Sequence, residues 1–383
     1  MQSIVFEEAN WLNLMKHYLV RNAENRDLLK VVHDICGLNA QGALTVNLSL
    51  WNRIESFDRR SLEDALYESR TLVKTWCMRG TVHIIPSIDL PIYIQALREN
   101  LMIHWQRFLR RKQKTLSKIE RSKIKDRILK LLSEQTLTRR EICEFLDMKS
   151  SEGKILVSRL LRELSYEGMV CHAKPIGPWY HFREYRFARI DYWLPDLCLE
   201  SISPEEAKRK LLTWYLSSYG PASIQDFAYW TGFTVKEAKH ILDSLEDGIV
   251  QVRINGLKGE FWLFERDFKL LEEKFSSYFS IHLLPPFDPL IMGYKDKTRI
   301  LNPIYKRMVL LPLGDIAATI LMNGRVIGTW KYRKGKKTPK FEVKLFKKLD
   351  NDEVELIKSE IDRMSRFLEV EKPKVKIYVV NQV

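Results

Sequence analysis

The 383-residue chain is predicted to have an α+β fold, with tandem winged helix-turn-helix domains followed by a small C-terminal β-barrel. Three observations predict this architecture. Residues 120–193 show the order helix, helix, longer helix and hairpin that is typical of a winged helix. The region after it repeats that order, and the last hundred residues alternate β-rich runs with turns. A chain of this length is also too long for one ordinary domain.

Changes in pattern along the chain predict four domains, at residues 1–115, 116–195, 196–280 and 281–383. The first is an N-terminal winged-helix domain and is mostly helical. Its predicted elements are helices over Glu8–Val20, Asp27–Ile35 and Leu48–Ile54, a helix capped by Ser61, and a strand over Thr81–Pro86.

The second domain carries the clearest winged-helix pattern. A helix over Ser122–Ser133 precedes Thr138, which is expected to cap a short helix ending at Leu146. A longer helix follows over Ser151–Glu167, and Gly168 is a typical helix stop. The two arms of the hairpin are then Met169–Ala173 and Tyr180–Ile190.

The third domain repeats this plan, although its sequence identity to the second is low. A helix over Pro204–Tyr219 precedes Ser223, the expected cap of a helix over Ile224–Thr231. A helix over Val235–Leu245 and a strand over Ile249–Val252 complete it. The prediction of an internal repeat therefore depends on the succession of elements.

The last domain is rich in predicted strands. The turn Asn323-Gly324 is the strongest short hairpin signal in the chain. The predicted elements are strands over Arg307–Leu311, Ile316–Met322, Arg325–Trp330 and Lys340–Phe346, a helix over Asp352–Phe367 and a closing strand over Val375–Val380. They fit a small, mostly antiparallel barrel or sheet.

The charge of the chain favours a polyanionic partner. Lys and Arg total 63 against 49 Asp and Glu, which gives a formal net charge of +14. Thirteen Lys or Arg lie between Arg107 and Arg140 with three opposing acids, and a second basic patch runs from Lys331 to Lys340. A single charge run is also compatible with a solvated helix face, but the first run borders the predicted winged helix.

Several classes of protein are not supported by the sequence. No segment has the roughly 18 unbroken apolar residues that a membrane span needs, and the N-terminus lacks the basic region of a signal peptide. The five cysteines are widely spaced, without a CxxC pair, so neither a disulfide framework nor a zinc site is indicated. Phosphate-loop, GxSxG and HExxH motifs are missing. We therefore expect a cytoplasmic protein with reduced thiols, a monomer that needs no metal or cofactor.

One short run carries a possible chemistry, Gly37-Leu38-Asn39-Ala40-Gln41. If it is extended, Asn39 and Gln41 point to the same side, roughly 6–7 Å apart. Two neutral amides can hold a water molecule and direct carbonyl dipoles at a developing cation. The structural alternative is that Gly37 ends the preceding helix and Asn39 caps the turn.

This run and several others resemble the AlkZ/YcaQ-like winged-helix DNA glycosylases. The similarity extends in order over nearly the whole chain, which is more specific than any single motif. The other matching runs are Leu72–His83, Tyr219–Ser223, Asp226–Trp230, Leu283–Pro289, Gly293–Asp296 and Gly324–Trp330.

The resemblance implies three tandem winged-helix domains and a C-terminal barrel that form a basic cradle for double-stranded DNA. It also implies excision of purines alkylated at N7 or N3, and in some members of bulky adducts or interstrand crosslinks. The catalytic pair of the family falls on Asn39 and Gln41, where Asn39 replaces a glutamine of the family pattern. Such a substrate already carries a cationic leaving group, so the enzyme needs to direct a water to C1′ without a strong acid.

Further residues are expected to contact the DNA or the lesion. Arg79 and His83 lie near the catalytic pair in the family pattern, whereas a structural ion pair for Arg79 and a satisfied strand position for His83 are the alternatives. Basic residues of the second domain are expected phosphate contacts, on the longer helix or on the wing: Lys154, Arg159, Arg162, Arg183 and Arg186.

Two other functions stay open on the sequence alone. A non-catalytic DNA-binding protein, either a transcription regulator or a lesion binder, could use the same basic cradle. A regulator commonly brings a dimer interface, and no heptad run of that kind is present. An interaction scaffold built on winged helices is disfavoured by the +14 charge.

Overall fold

The computed structural model describes residues 2–20, 22–24, 27–110, 117–177, 184–245, 248–274, 278–334, 339–371 and 373–380, which have a mixed α+β fold. The helices are α1 (Phe6–Lys16), α2 (Leu28–Asp34), α3 (Ala43–Trp51), α4 (Arg59–Tyr67), α5 (Leu90–Arg110), α6 (Lys118–Leu131), α7 (Arg139–Phe145), α8 (Ser151–Tyr166), α9 (Ile190–Trp193), α10 (Pro204–Tyr219), α11 (Ile224–Thr231), α12 (Val235–Asp243), α13 (Glu265–Lys274), α14 (Pro289–Met292), α15 (Lys306–Val309) and α16 (Asn351–Phe367). The strands are β1 (Gln2–Ile4), β2 (Leu38–Asn39), β3 (Leu72–Trp76), β4 (Val82–Pro86), β5 (Leu137–Thr138), β6 (Val170–His172), β7 (Arg186–Arg189), β8 (Ile249–Ile254), β9 (Phe261–Phe264), β10 (Ile281–Leu284), β11 (Thr319–Met322), β12 (Arg325–Arg333), β13 (Lys340–Leu345) and β14 (Lys374–Val379).

The predicted succession of helices followed by a hairpin occurs twice. Helices α6, α7 and α8 precede the antiparallel pair β6–β7, and helices α10, α11 and α12 precede the antiparallel pair β8–β9. The tip of the first hairpin, at residues 178–183, lies outside the described residues.

Side-chain caps explain where several of these helices begin. The hydroxyl of Thr138 accepts from the backbone N–H of Glu141, and that of Ser223 accepts from Asp226, so both predicted caps are confirmed. The predicted cap at Ser61 is wrong. Helix α4 begins three residues earlier because the Asp58 carboxylate accepts from the N–H of Arg60, while the Ser61 hydroxyl donates to the carbonyl of Asp58.

The strands of the first two predicted domains share one sheet. Its order is β2-β4-β3-β6-β7-β5, and Lys74 of β3 is the register partner of His172 of β6. The N-terminal strand β1 instead pairs in parallel with β8, far along the chain. The four-domain division stays a prediction. The sheets do not follow it, because the pairs β3–β6 and β1–β8 each join strands of different predicted domains.

The C-terminal strands form an open sheet in the order β10-β11-β12-β13-β14, with β13 and β14 parallel. Among the described residues β10 does not pair with β14, so the predicted closed barrel is not found. Helix α16 covers one face through the buried side chains of Ile357, Ile361 and Met364. The strand predicted over Arg307–Leu311 is also wrong, because this run contains most of the short helix α15.

No helix within the described ranges is both long enough and apolar enough to cross a bilayer.

Candidate active site

The residues that precede Asn39 form a tight helix end. After α2 the backbone takes positive φ angles at Cys36 and Gly37, and the N–H of Gly37 donates to the carbonyl of Val32 over 2.9 Å. A Cβ atom at Gly37 would lie 2.8 Å from Cγ2 of Ile85. Gly37 therefore ends the helix, as one of the two interpretations of the sequence expects, and it places β2 directly against β4.

Asn39 closes the turn that follows. Its side-chain Oδ1 accepts from the backbone N–H of Gln41 over 3.2 Å, the local bond that asparagine makes to the residue two positions ahead. Strand β2 ends at Asn39, and Gln41 lies in a bend before α3. The two amides are therefore not alternate residues of one extended strand, which was the condition for their pointing to the same side.

The two amides differ in exposure. Asn39 is buried, and its Nδ2 has no hydrogen-bond partner among the described residues. Gln41 is exposed to solvent at the end of the turn. The turn thus presents one amide to solvent beside a second amide whose donor group is not satisfied, an arrangement that is costly unless another group completes it.

His83 is the register partner of Asn39 across the sheet, and Thr75 pairs with His83 on the other side. The three side chains share one face, because directly opposed residues of antiparallel strands point the same way. Nδ1 of His83 lies 3.0 Å from the carbonyl of Thr81. Burial, helped by the charge of Arg79, lowers the pKa of His83 to about 4. The ring is therefore neutral at physiological pH and leaves Nε2 as an acceptor.

A buried ion pair fixes the helix that follows the turn. Arg53, just after α3, donates from Nη2 to Oδ1 of Asp288 over 2.7 Å and from Nη1 to Oδ2 over 2.8 Å. Both side chains are completely buried. Ser49 adds a bond to the same carboxylate. The run Leu283–Pro289 therefore has a structural role here, which is to anchor α3 behind the candidate turn.

A second contact fixes the helix end before the turn. The hydroxyl of Tyr219 donates to the carbonyl of Ile35, the residue directly after α2. The hydroxyl of Tyr294 in turn donates to the carbonyl of Tyr219. At Gly293 a Cβ atom would lie 2.1 Å from the ring of Tyr219, so only glycine allows this close approach. Two runs distant in sequence thus support the candidate turn from behind.

Arg79 adopts a left-handed backbone conformation with φ of 51°. Its guanidinium carbon lies 4.2 Å from the ring centroid of Tyr229 on α11, and Nζ of Lys297 lies 5.3 Å from the same centroid. In the described parts of the chain Arg79 forms no ion pair with a carboxylate, so the structural alternative for this residue is not supported. Burial and the charge of Arg79 lower the pKa of Lys297 to about 8.

The predicted DNA contacts of the second domain occupy different environments. Lys154 is exposed on α8 and Arg159 is half-buried, while Arg162 lies over the rings of Trp76 and Trp105. Arg186 donates to the carbonyl of Thr136 over 2.7 Å and pairs with Glu141, which gives it a structural role as well. Arg183 lies outside the described residues.

Some of the basic residues between Arg107 and Arg140 also have a structural role. Arg121 pairs with the buried carboxylate of Glu163 on α8, and Lys125 bridges Glu163 and Glu167 at 3.3 and 2.6 Å. These contacts hold α6 against α8. This basic run therefore combines solvated charges with charges that fix the packing of α6 against α8.

Sequence reasoning missed several groups near the site. Tyr229 and Lys297 surround Arg79 although they lie 150 and 218 positions further along the chain. Ser165 on α8 hydrogen-bonds Thr75 over 3.1 Å, which ties the predicted second domain to the face that carries His83. The run that contains Tyr229 and the run that ends just before Lys297 are visible in the sequence, but nothing in their spacing indicates where they fold.

The comparisons with known proteins agree with this architecture. A family model described as "DNA glycosylase AlkZ-like" matches residues 32–367. The protein named "Interstrand DNA cross-link repair glycosylase" of Streptomyces sahachiroi is 25% identical over 323 residues, which cover 78% of this chain and 81% of that protein. The solved structure of the Streptomyces sahachiroi DNA glycosylase AlkZ aligns with a TM-score of 0.79 at 20% identity, over 99% of this chain and 100% of that one. Because the family model covers most of its length, the chain belongs to the AlkZ-like DNA glycosylase family.

Proposed function

We propose that the protein is a monofunctional DNA glycosylase that excises purines alkylated at N7 or N3 from double-stranded DNA. The observation that carries this proposal is the turn in which exposed Gln41 is bonded to the buried side chain of Asn39. Membership of the AlkZ-like family supplies the reaction class. The name of the Streptomyces sahachiroi relative supports a range that includes interstrand crosslinks.

The chemistry suits neutral amides. In a purine alkylated at N7 the C1′–N9 bond breaks with its electron pair moving to the base, which cancels the positive charge of the leaving group. The sugar becomes oxocarbenium-like, a water oxygen bonds to C1′, and the water gives up a proton to solvent. Catalysis then requires a positioned water and dipoles aimed at a developing cation, and no strong acid.

We assign the positioning of that water to Gln41. Its exposed amide can accept a hydrogen bond from the water while its position is set by the bond between its backbone N–H and Asn39. Asn39 assists by fixing this turn, and its unpartnered Nδ2 provides a hydrogen-bond donor beside the acceptor of Gln41. Neutral His83, opposite Asn39, offers an acceptor to the lesion.

Charges around the site favour phosphate contacts. Arg79 and Lys297 bring two cations to the ring of Tyr229, and the charge of Arg79 opposes that of Lys297, a repulsion that an anion would relieve. Lys154, Arg159 and Arg162 add positive charge along α8. We propose that these groups bind the DNA backbone and that the protein acts as a monomer.

The proposed function is tested by incubating the protein with a duplex that contains N7-methylguanine and with the same duplex unmodified. Free modified base should appear only from the first, leaving an abasic site in an otherwise intact strand. A duplex with an N7-linked interstrand crosslink tests the wider range. If no base is released while salt-sensitive binding persists, the protein is a DNA binder without this activity.

A further inference from the structure

An open cleft of about 530 Å³ lies between α5, α8 and the sheet that the first two predicted domains share. One wall is the stacked pair Trp105 and Phe108, with ring centroids 5.2 Å apart. The other is the pair Trp76 and Phe187, stacked at 6.1 Å with ring planes only 8° apart. The volume falls within the range of about 300–1,000 Å³ that is typical of small-molecule sites.

The cleft has aromatic surface that faces solvent. Phe108 is 45% exposed and Ile155, also on the rim, is 52% exposed. Large apolar side chains in this state at one concave site are typical of a surface that binds a partner. The two aromatic walls make a flat group the best geometric match.

The charge of the cleft selects an anionic group. Its lining includes Arg139, Arg159 and Arg162, against a single acid, Glu184. The guanidinium carbon of Arg162 lies 5.5 Å from the ring centroid of Trp76 and 5.0 Å from that of Trp105, so one cation lies between the two walls. In the described part of the chain Arg159 pairs with no carboxylate.

A buried polar atom at the base of the cleft points to a ligand independently. His172 lines the cleft and is 5% exposed, and its Nδ1 has no hydrogen-bond partner in the described structure. The ring contacts Trp76 at a centroid distance of 4.4 Å. An imidazole nitrogen of this kind can hydrogen-bond the edge of a flat heterocycle.

We propose that this cleft binds one unpaired nucleotide of the DNA, with the base stacked on the exposed ring of Phe108 and the phosphate near Arg159. The proposal rests on the proposed function in so far as DNA is the substrate. It adds a second site, because no residue of the Asn39–Gln41 turn lines the cleft.

Position links this cleft to the candidate active site. Trp76 directly follows Thr75, the strand neighbour of His83, which itself pairs with Asn39. Because successive residues of a strand point to opposite faces, Trp76 and Thr75 serve the two sides of the same sheet. A nucleotide held in the cleft therefore lies across the sheet from the face that carries Asn39 and His83.

The alternatives to this ligand fit less well. A paired base presents its edge and hides its faces in the stack, so it cannot stack on an aromatic side chain of the cleft. An apolar peptide would satisfy Phe108 and Ile155 but would leave the arginines without anions. Stacking with a flanking phosphate satisfies both kinds of surface.

Binding of fluorescently labelled DNA tests the proposal with three probes: a paired duplex, the same duplex with one bulged nucleotide, and the single strand. Phe108→Ala should weaken binding to the bulged and single-stranded probes by about five- to tenfold. It should leave the paired duplex unchanged. Phe108→Trp, which keeps a stacking surface, should restore the affinity. Phe145→Ala is the matched control, since Phe145 is 58% exposed on α7 and does not line the cleft.

Two results would overturn the proposal. One is unchanged affinity of Phe108→Ala for the bulged and single-stranded probes. The other is an equal loss on all three probes, which would assign the cleft to duplex binding. Base excision by the wild-type protein, measured on the same preparation, is a separate readout. Its absence would refute the proposed function without deciding the binding comparison.

Discussion

The side chain of Asn39 has the length that its turn requires. The bond from the N–H of Gln41 to Oδ1 of Asn39 closes a small ring, which a glutamine with one more methylene cannot reproduce in the same geometry. This geometry favours the positioning role that we propose for Asn39, with the exposed amide of Gln41 as the group proposed to orient the water.

Replacement of Asn39 tests this division of roles. Asn39→Asp keeps an oxygen that can accept from the N–H of Gln41, so the turn should persist. Asn39→Ala removes that acceptor, and we expect the single-turnover rate of excision to fall about tenfold while the affinity for DNA changes little. Equal rates in Asn39→Ala and the wild type would rule out a positioning role.

The burial of His83 makes stability depend on pH. The pKa of an unfolded histidine is about 6.5, whereas burial lowers that of folded His83 to about 4. As the pH falls through this interval, the unfolded chain binds the proton first, so stability is lost by up to about 3 kcal/mol. Urea unfolding at pH 7 and pH 5 should show a smaller difference for His83→Gln than for the wild type. An identical difference would contradict the assignment.

The residues of the site are only partly predictable from the sequence. Asn39 and Gln41 are identifiable because two amides next to a helix-ending glycine form an unusual local pattern. The division between a buried and an exposed amide is not, because it depends on where β2 ends and on how β4 covers Asn39. Tyr229 beside Arg79 cannot be foreseen either, since tertiary packing alone brings them together.

At the scale of elements, the turn between β3 and β4 depends on a close approach. Gly80 has φ of +70°, and a Cβ atom there would lie 2.5 Å from the hydroxyl of Tyr166, whose side chain is buried. Gly314 has φ of +86°, and a Cβ atom there would have no neighbour within 4 Å, so only its backbone conformation favours glycine.

Alanine at these two glycines should therefore have unequal effects. Both substitutions strain the backbone, but Gly80→Ala also displaces Tyr166 and should lower the free energy of unfolding by about 1–3 kcal/mol more than Gly314→Ala. Denaturant unfolding measures the difference. Equal destabilisation would mean that Tyr166 moves away from residue 80 at no cost in free energy.

Helix boundaries show why local pattern sometimes suffices. The caps at Thr138 and Ser223 are predictable because each residue is followed by an acid three positions later, and the two side chains satisfy each other's backbone donors. Ser61 has similar surroundings in sequence, but Asp58 lies just before it and captures the helix start. The local sequence offers two possible caps, Asp58 and Ser61, and its pattern does not show which one the helix uses.

At the scale of the molecule, positive charge is concentrated on the solvent face of the C-terminal sheet. Arg333 is the register partner of Lys340, which is itself the partner of Lys374, so three cations stand in a row across three strands. Like charges directly opposite each other destabilise a sheet, and a phosphate backbone would relieve the repulsion. We propose that this row contributes to DNA binding.

Neutralising the row should reduce the dependence of DNA affinity on salt. For the triple variant R333Q/K340Q/K374Q, the slope of log affinity against log salt should fall by about 0.9 for each phosphate that is no longer neutralised. The control K30Q/K269Q/K358Q removes the same charge from lysines that are already paired with Asp34, Glu265 and Glu355. Equal slopes for the two variants would show that only net charge matters.

The overall architecture is predictable in outline, because helical and strand periodicities are local. The open order of the C-terminal sheet is not, since strand order depends on long-range pairing, including the parallel partners β13 and β14. The same holds for the ion pair of Arg53 with Asp288, which joins residues 235 positions apart behind the candidate turn.

The central claim, that the turn at Asn39 and Gln41 performs the excision, is tested most directly by single-turnover kinetics on a duplex with N7-methylguanine. Gln41→Ala should lower the excision rate at least about 100-fold while its affinity for the same duplex stays within twofold of wild type. Gln106→Ala, at an exposed glutamine on α5, is the matched control and should be fully active. A Gln41→Ala protein that excises the base at the wild-type rate would place the chemistry elsewhere in the molecule.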